Sequence, residues 1–314
     1  MVDPNMTISV VIITKDRPKL LAECVSSFLQ QSILPSQFVI VEDISDSSSP
    51  VALENIKNKI VQKEIQYDHI QVRFSNYSAS RNKALSLAHG ALIISCDDDI
   101  LVSPDTIAKI ISFHQQYPEA LSMCPMLSTI EVGLWAEYDC YSTNDYRRLL
   151  KQPTKIYFAP TAFFTLTQNV VAKKKIKFDD SLYIGEDHDF FQKLKENSYI
   201  VIFNPSLTVF HHFRHTFWTF LKHHIQYAHA ISILEERSLY FSRSSENWLP
   251  KRKMHLLFFP IFILNQIHSY TINNLKRLHL GMKYYLPALV TTLTLVYTSF
   301  KKIKSVQKNV KFDQ

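Results

Sequence analysis

Apolar positions in the first hundred residues alternate between short β-branched runs and stretches in which they recur every three or four residues. The run Ile8 to Ile13, bounded by Thr14-Lys15-Asp16-Arg17-Pro18, predicts a buried strand entering a loop. Leu20, Leu21, Cys24, Val25, Phe28 and Leu29 then follow a helical period, and after Pro35 a second strand, Phe38 to Val41, stops at Glu42-Asp43. The polar stretch Ser45 to Pro50 reads as a loop, Val51 to Ile65 as a helix and His69 to Phe74 as a third strand. A helix over Ser78 to His89 is expected to end at Gly90 as a C-cap glycine, and the strand Ala91 to Ser95 delivers Asp97-Asp98-Asp99.

Strands alternating with helices, each strand closing on polar residues, predict an α/β fold with a mostly parallel central sheet and helices on both faces. Ligands of such sheets bind beyond the carboxyl ends of the strands, where Thr14, Asp43 and the three aspartates all fall. Farther on, the pattern predicts a helix over Ser103 to Tyr117 and a less regular stretch, rich in Tyr and Trp, over Met123 to Tyr157. Gly185-Glu186-Asp187-His188-Asp189 opens a helix, Ile200 to Phe203 is a short strand closed by Asn204-Pro205, and a helix bearing His223, His224 and His229 follows His211-His212.

With 314 residues, 46% of them apolar, the chain can bury a large core. Its net charge of +7 is unevenly spread: from Phe241 onward, 12 Lys and Arg stand against Glu246 and Asp313, so this tail carries +10 and the first 240 residues about −3. That split excludes a generally basic nucleic-acid-binding surface and divides the chain into a catalytic region, 1–240, and a basic helical tail, 241–314. Within the tail, Met254 to Ile263 and Tyr284 to Phe300 are apolar segments with cationic borders, which suit an interfacial or shallowly inserted helical hairpin on an anionic membrane better than a soluble helical packing domain, and a full span least. Cys24, Cys96, Cys124 and Cys140 lack any C-x-x-C pairing and read as reduced thiols of a cytosolic protein. The short apolar run near the N-terminus has no basic flank, so no secretion signal is expected.

Three adjacent carboxylates repel one another and lose hydration at a strand end, so they call for a cation or a network of donors. Mg²⁺ or Mn²⁺ suits such oxygen ligands and completes its shell with substrate phosphates and water. Gly-Glu-Asp by itself is also what a helix N-terminus favours, its acidic side chains meeting the positive end of the dipole. His211 and His215 have an i, i+4 spacing that zinc sites use, but no Cys or spaced carboxylate completes a set.

Taken together, Ser9 to Thr14, Val41-Glu42-Asp43, Ser80-Arg81-Asn82-Lys83-Ala84, Asp97-Asp98-Asp99 and Gly185-Glu186-Asp187 resemble, in order and separation, the family 2 glycosyltransferases of the GT-A fold. The resemblance covers about the first 220 residues and implies an inverting transfer from a nucleotide-sugar donor to a saccharide or lipid-linked saccharide acceptor, with a divalent cation. Carried over by position, it implies that Thr14, Asp43 and their neighbours Asp16 and Arg17 face the nucleotide, as do Arg81 and Asn82. Asp97 or Asp98 would contact the ribose or diphosphate, Asp99 and His211 would hold the metal, and Asp187, beside Glu186, would be the catalytic base. The implied setting is surface-polysaccharide or glycolipid synthesis on the inner face of the plasma membrane. Nucleotidyl transfer and a silent nucleotide-sugar-binding module remain as alternatives.

Overall fold

A computed structural model describes residues 6–44, 50–73, 76–172, 176–182, 185–236, 259–277 and 279–310. Its strands are β1 Ile8–Thr14, β2 Gln37–Asp43, β3 Gln66–Val72, β4 Leu92–Asp97, β5 Ile100–Leu101, β6 Ala120–Thr129, β7 Thr154–Ile156, β8 Phe163–Thr167 and β9 Ile200–His211. The helices are α1 Pro18–Leu29, α2 Pro50–Val61, α3 Tyr77–Leu87, α4 Thr106–Gln116, α5 Leu134–Asn144, α6 Gln168–Ala172, α7 Glu186–Glu196, α8 Phe217–Glu236, α9 Phe259–Arg277 and α10 Tyr285–Val310, with 3₁₀ turns at Asp145–Leu149 and Met282–Tyr284. Two compact units emerge, Met1–Ile130 with Arg147–His212, and Glu131–Tyr146 with Phe213–Gln314. The boundary expected between 240 and 241 lies outside the described residues.

The first unit is built on a five-stranded sheet of order β3-β2-β1-β4-β8. Its first four strands are parallel, and β8 runs antiparallel to β4. Every residue of β1 and β2 is buried, which is why both read as continuous apolar runs rather than alternating ones. A second sheet places β9 between β5 and β6, with β7 also paired to β9. One core cluster joins the two sheets and α7 through Val11, Val39, Ile93, Phe164, Phe178, Phe190 and Phe203.

Several local expectations change. Gly90 does not cap α3, whose C-cap is Ala88 in an extended conformation. Instead it lets the chain pass β1 closely: a Cβ there would stand 2.5 Å from the Ser9 nitrogen, and the Gly90 N–H donates to Ser9 Oγ at 2.8 Å. Asn204-Pro205 does not close a short strand; β9 continues to His211 because its register with β6 shifts there, Pro125 pairing Asn204 and Met126 pairing Thr208. Such a bulge accommodates a proline that offers no N–H to the ladder.

The stretch expected to be irregular contains most of β6, all of α5 and all of β7. Tyr, Ser, Thr and Asn give α5 little intrinsic helix preference; it forms because Leu134, Trp135, Tyr138 and Tyr141 share a face that packs in the second unit. That unit is helical, with α5, α8, α9 and α10 gathered around Tyr138, Phe220, Leu275, Tyr284 and Ala288. No described helix is long and apolar enough to cross a membrane.

Candidate active site

β1, β2 and β4 end side by side, and the sequence there changes from buried aliphatics to Thr14, Asp43 and Asp97. Parallel pairing therefore sets the first half of the site before any side chain contributes. Thr14 Oγ1 donates to Asp98 Oδ2 at 2.5 Å. The loop after β1 turns through Asp16, an exposed residue at φ 53°, and brings back Arg17, which stands at the N-cap position of α1 ahead of Pro18 without a side-chain capping bond. The Arg17 guanidinium straddles two aspartates, Nη2 lying 2.7 Å from Asp98 Oδ1 and Nη1 2.9 Å from Asp99 Oδ2.

Burial pushes the Asp98 carboxyl up to about 7, and the charges of Asp99 and Asp97 add to the rise while Arg17 and Thr14 oppose it. Asp99 also faces the end of β9, where its Oδ1 lies 3.2 Å from His211 Nε2 and its carbonyl accepts from the His212 N–H at 3.1 Å. The antiparallel pairing of Ile100 with His211 makes that approach.

Asp97 turns toward α3. Its Oδ1 accepts from Arg81 Nη2 at 2.8 Å, and Arg81 Nη1 donates to Glu186 Oε1 at 2.7 Å. Arg81 is thus a buried bridge between the end of β4 and the first turn of α7, with its Cζ 5.6 Å from the centre of the Phe178 ring. Burial works against its charge, but Asp97 and Glu186 outweigh that and hold it well above the ordinary arginine value. Burial also raises both carboxyls, against the pull of Arg81.

Asn82, the next residue, is engaged elsewhere. Its Nδ2 donates to the Phe178 carbonyl at 2.9 Å and to Asp180 Oδ1 at 2.8 Å, and its Oδ1 accepts from the Phe178 N–H at 2.9 Å. The pair Arg81-Asn82 thereby docks the segment ahead of α7 as well as the helix itself.

Helix α7 starts at Gly185, whose φ of 88° lies in the left-handed region that glycine adopts without strain. Glu186, Asp187 and Asp189 fill the first turn. Asp187 is half-buried, and burial pushes its carboxyl up to about 6 even though the His188 N–H donates to its Oδ1 at 2.8 Å. His188 stacks on Phe158 with centroids 4.0 Å apart, and burial lowers it to about 4, so it is a neutral ring beside the acid.

A cleft opens at the sheet edge between Thr14, Lys15, Arg17 and Asp43 on one side and Asn76, Tyr77, Ser80 and Asp97 on the other. Asp43 Oδ2 meets Lys15 Nζ at 3.4 Å, while the buried Asp43 Oδ1 and Ser80 Oγ have no hydrogen-bond partner among the described residues. Lys15 and Tyr77 went unassigned in the sequence because neither carries a periodic or motif signal.

Asp99 and His211 offer a carboxylate oxygen and an imidazole nitrogen at a separation that two ligands of one ion also have, about 3 Å for metal–ligand bonds near 2.1 Å at right angles. A carboxylate and an imidazole are residue types that bind divalent cations, and here the pair is also an ion pair, with the other Asp99 oxygen 2.9 Å from Arg17 Nη1. Among the described residues no group of three or more His, Cys, Asp and Glu could hold a metal by itself. Of the other described histidines, His224 lies beside Asp139 with the His223 ring 5.5 Å from its own, and His212 lies beside Glu23.

Comparison with known proteins shows the family and the fold. The family model "Glycosyl transferase family 2" matches residues 9–173, and "Glycosyl transferase family group 2" matches residues 92–301. Among curated relatives, the uncharacterized glycosyltransferase YwdF of Bacillus subtilis is 33% identical over 106 residues, covering 33% of this chain and 37% of its own. WcaA of Escherichia coli, a putative colanic acid biosynthesis glycosyl transferase, is 30% identical over 204 residues, covering 60% of this chain and 66% of its own. The minor teichoic acid biosynthesis protein GgaB of B. subtilis is 24% identical, covering 58% of this chain and 20% of its own, so the chain spans less than two thirds of each relative.

Among solved structures, Staphylococcus aureus TarS 1-349 in complex with UDP-GlcNAc superposes with a TM-score of 0.54 at 16% identity, covering 95% of this chain and 92% of the other. GalNAc-T7 with UDP, GalNAc and Mn²⁺ gives 0.56 at 17% identity, covering 87% and 58%. These two likenesses concern the fold, and the fold is GT-A. With a family model spanning more than half of its residues, the chain belongs to glycosyl transferase family 2.

Proposed function

We propose that this protein moves a glycosyl group, with inversion, from a nucleoside-diphosphate sugar to an acceptor hydroxyl during surface-polysaccharide or glycolipid synthesis, at the cytoplasmic face of the plasma membrane. The observation that carries the reading is the Arg81 bridge, which ties the aspartate cluster at the end of β4 to the carboxylates that open α7. Donor handling and proton removal thereby fall on two sides of one buried guanidinium.

The unpartnered Asp43 Oδ1 and Ser80 Oγ suit a nucleobase and ribose, which bring N–H and O–H groups to them. Tyr77, 39% exposed at the cleft, offers a ring on which a base can stack. Lys15 and Arg17 supply positive charge for the diphosphate. Asp99 and His211 would hold a divalent cation, which stabilises the negative charge of a departing diphosphate. The UDP and UDP-GlcNAc complexes of TarS support a uridine nucleotide as the donor carrier.

Asp187 takes the proton of the acceptor hydroxyl as its oxygen attacks the anomeric carbon, while the bond to the nucleoside diphosphate breaks on the opposite side. A carboxyl held at about 6 is mostly ionised at neutral pH and more basic than an ordinary aspartate. Asp187→Asn should lower transfer by about 10²–10⁴-fold, the usual contribution of a general base, and leave the nucleotide-dependent thermal shift in place. Full activity in that variant would remove Asp187 from the mechanism.

A further inference from the structure

We propose that one exposed face of α10, carrying Leu286, Leu293 and Tyr297, is the surface by which the protein docks on an anionic lipid bilayer. The inference deepens the membrane-facing part of the function proposed above and rests on it. On α10, Ala288, Thr292 and Val296 recur every four residues and are buried in the second unit, at most 8% exposed. Leu286, Leu293 and Tyr297 lie on a separate stripe and are 51%, 44% and 60% exposed. At 100° per residue the three fall within about 40° of one another, along roughly 16 Å of helix. Met282, one turn ahead, is 65% exposed.

A single exposed leucine needs no explanation, but a line of apolar side chains on one helix face calls for an occupant. Charge selects which one. No acidic residue occurs between Glu246 and Asp313, and the stripe runs on in sequence to Lys301, Lys302, Lys304 and Lys308. A second copy would bring the same excess of positive charge against itself. An anionic headgroup layer is attracted, and its acyl boundary accepts the leucines while Tyr297 suits headgroup depth.

The test is co-sedimentation of the full chain with vesicles of phosphatidylcholine alone, or with about a third phosphatidylglycerol. We expect binding to the anionic vesicles that weakens with salt. The surface variant L286S/L293S/Y297S should lower the partition coefficient at least about tenfold, with an unchanged melting temperature and an unchanged nucleotide-dependent shift. K301Q/K302Q/K304Q should cost about fivefold per lysine at low salt. Wild-type binding by the serine variant would overturn the docking face. So would a wild-type dimer in light scattering that the serine variant abolishes, since a second copy would then cover the stripe. The nucleotide shift is read in the same samples, so loss of the docking face and loss of the transferase reading are separately visible.

Discussion

Asp187 and Arg81 make opposite demands on pH. If Asp187 removes the acceptor proton it must be ionised, and since burial holds it at about 6, kcat/KM for transfer should fall tenfold per pH unit below that value and level off above it. A pH–rate profile flat down to 4.5 would assign the proton to another group. Arg81 compensates two carboxyls that burial already disfavours as anions. Removing it in Arg81→Ala leaves both charges without their partner, and a buried pair broken from one side costs about 3–5 kcal/mol. Both carboxyls have folded-state values above their unfolded ones, so protonation relieves the penalty. The deficit, read by urea denaturation, should be largest at neutral pH and shrink as pH falls into the acid range. The identities of these residues were legible from short motifs. Their pairing was not, because Arg81 and Glu186 are 105 positions apart and only the packing of α7 brings them together.

β1, β2 and β4 were legible because burial on both faces leaves a continuous apolar run, whereas β3, polar and not fully buried at any position, was expected at His69 to Phe74 and begins three residues earlier, and elements shaped by one contact were not legible. Gly90 illustrates this: as a letter it marks a helix end, but its use is clearance beneath the Ser9 backbone. Gly90→Ala should destabilise the protein by about 1–3 kcal/mol, since the obstacle is main chain and cannot rotate away. A lower urea midpoint with an unchanged slope would mark this as strain in the native state, and no change would show that β1 yields easily. Helix α5 was hidden for the converse reason. Its residues have weak helix preference, and the surface that orders Leu134, Trp135, Tyr138 and Tyr141 includes Phe220 and Tyr284, far along the chain.

At the level of the entire protein, ligand binding should appear as added stability. A nucleotide at about 100 times its Kd adds roughly 2.7 kcal/mol, enough to read as a rise in melting temperature. UDP with Mn²⁺ should raise it more than UDP alone, and Asp99→Asn should remove the metal-dependent part while sparing the rest. An equal shift with and without Mn²⁺ would take Asp99 and His211 out of cation binding. The Arg81 bridge has one more consequence, for how the site is held. A single guanidinium spans Asp97 and Glu186, so the strand end and the helix turn cannot drift apart by more than the slack of two hydrogen bonds. In a transfer run by Asp187, the bridge would work as a brace: the turn that carries the base is tied to the strand end that carries the aspartates before either substrate arrives.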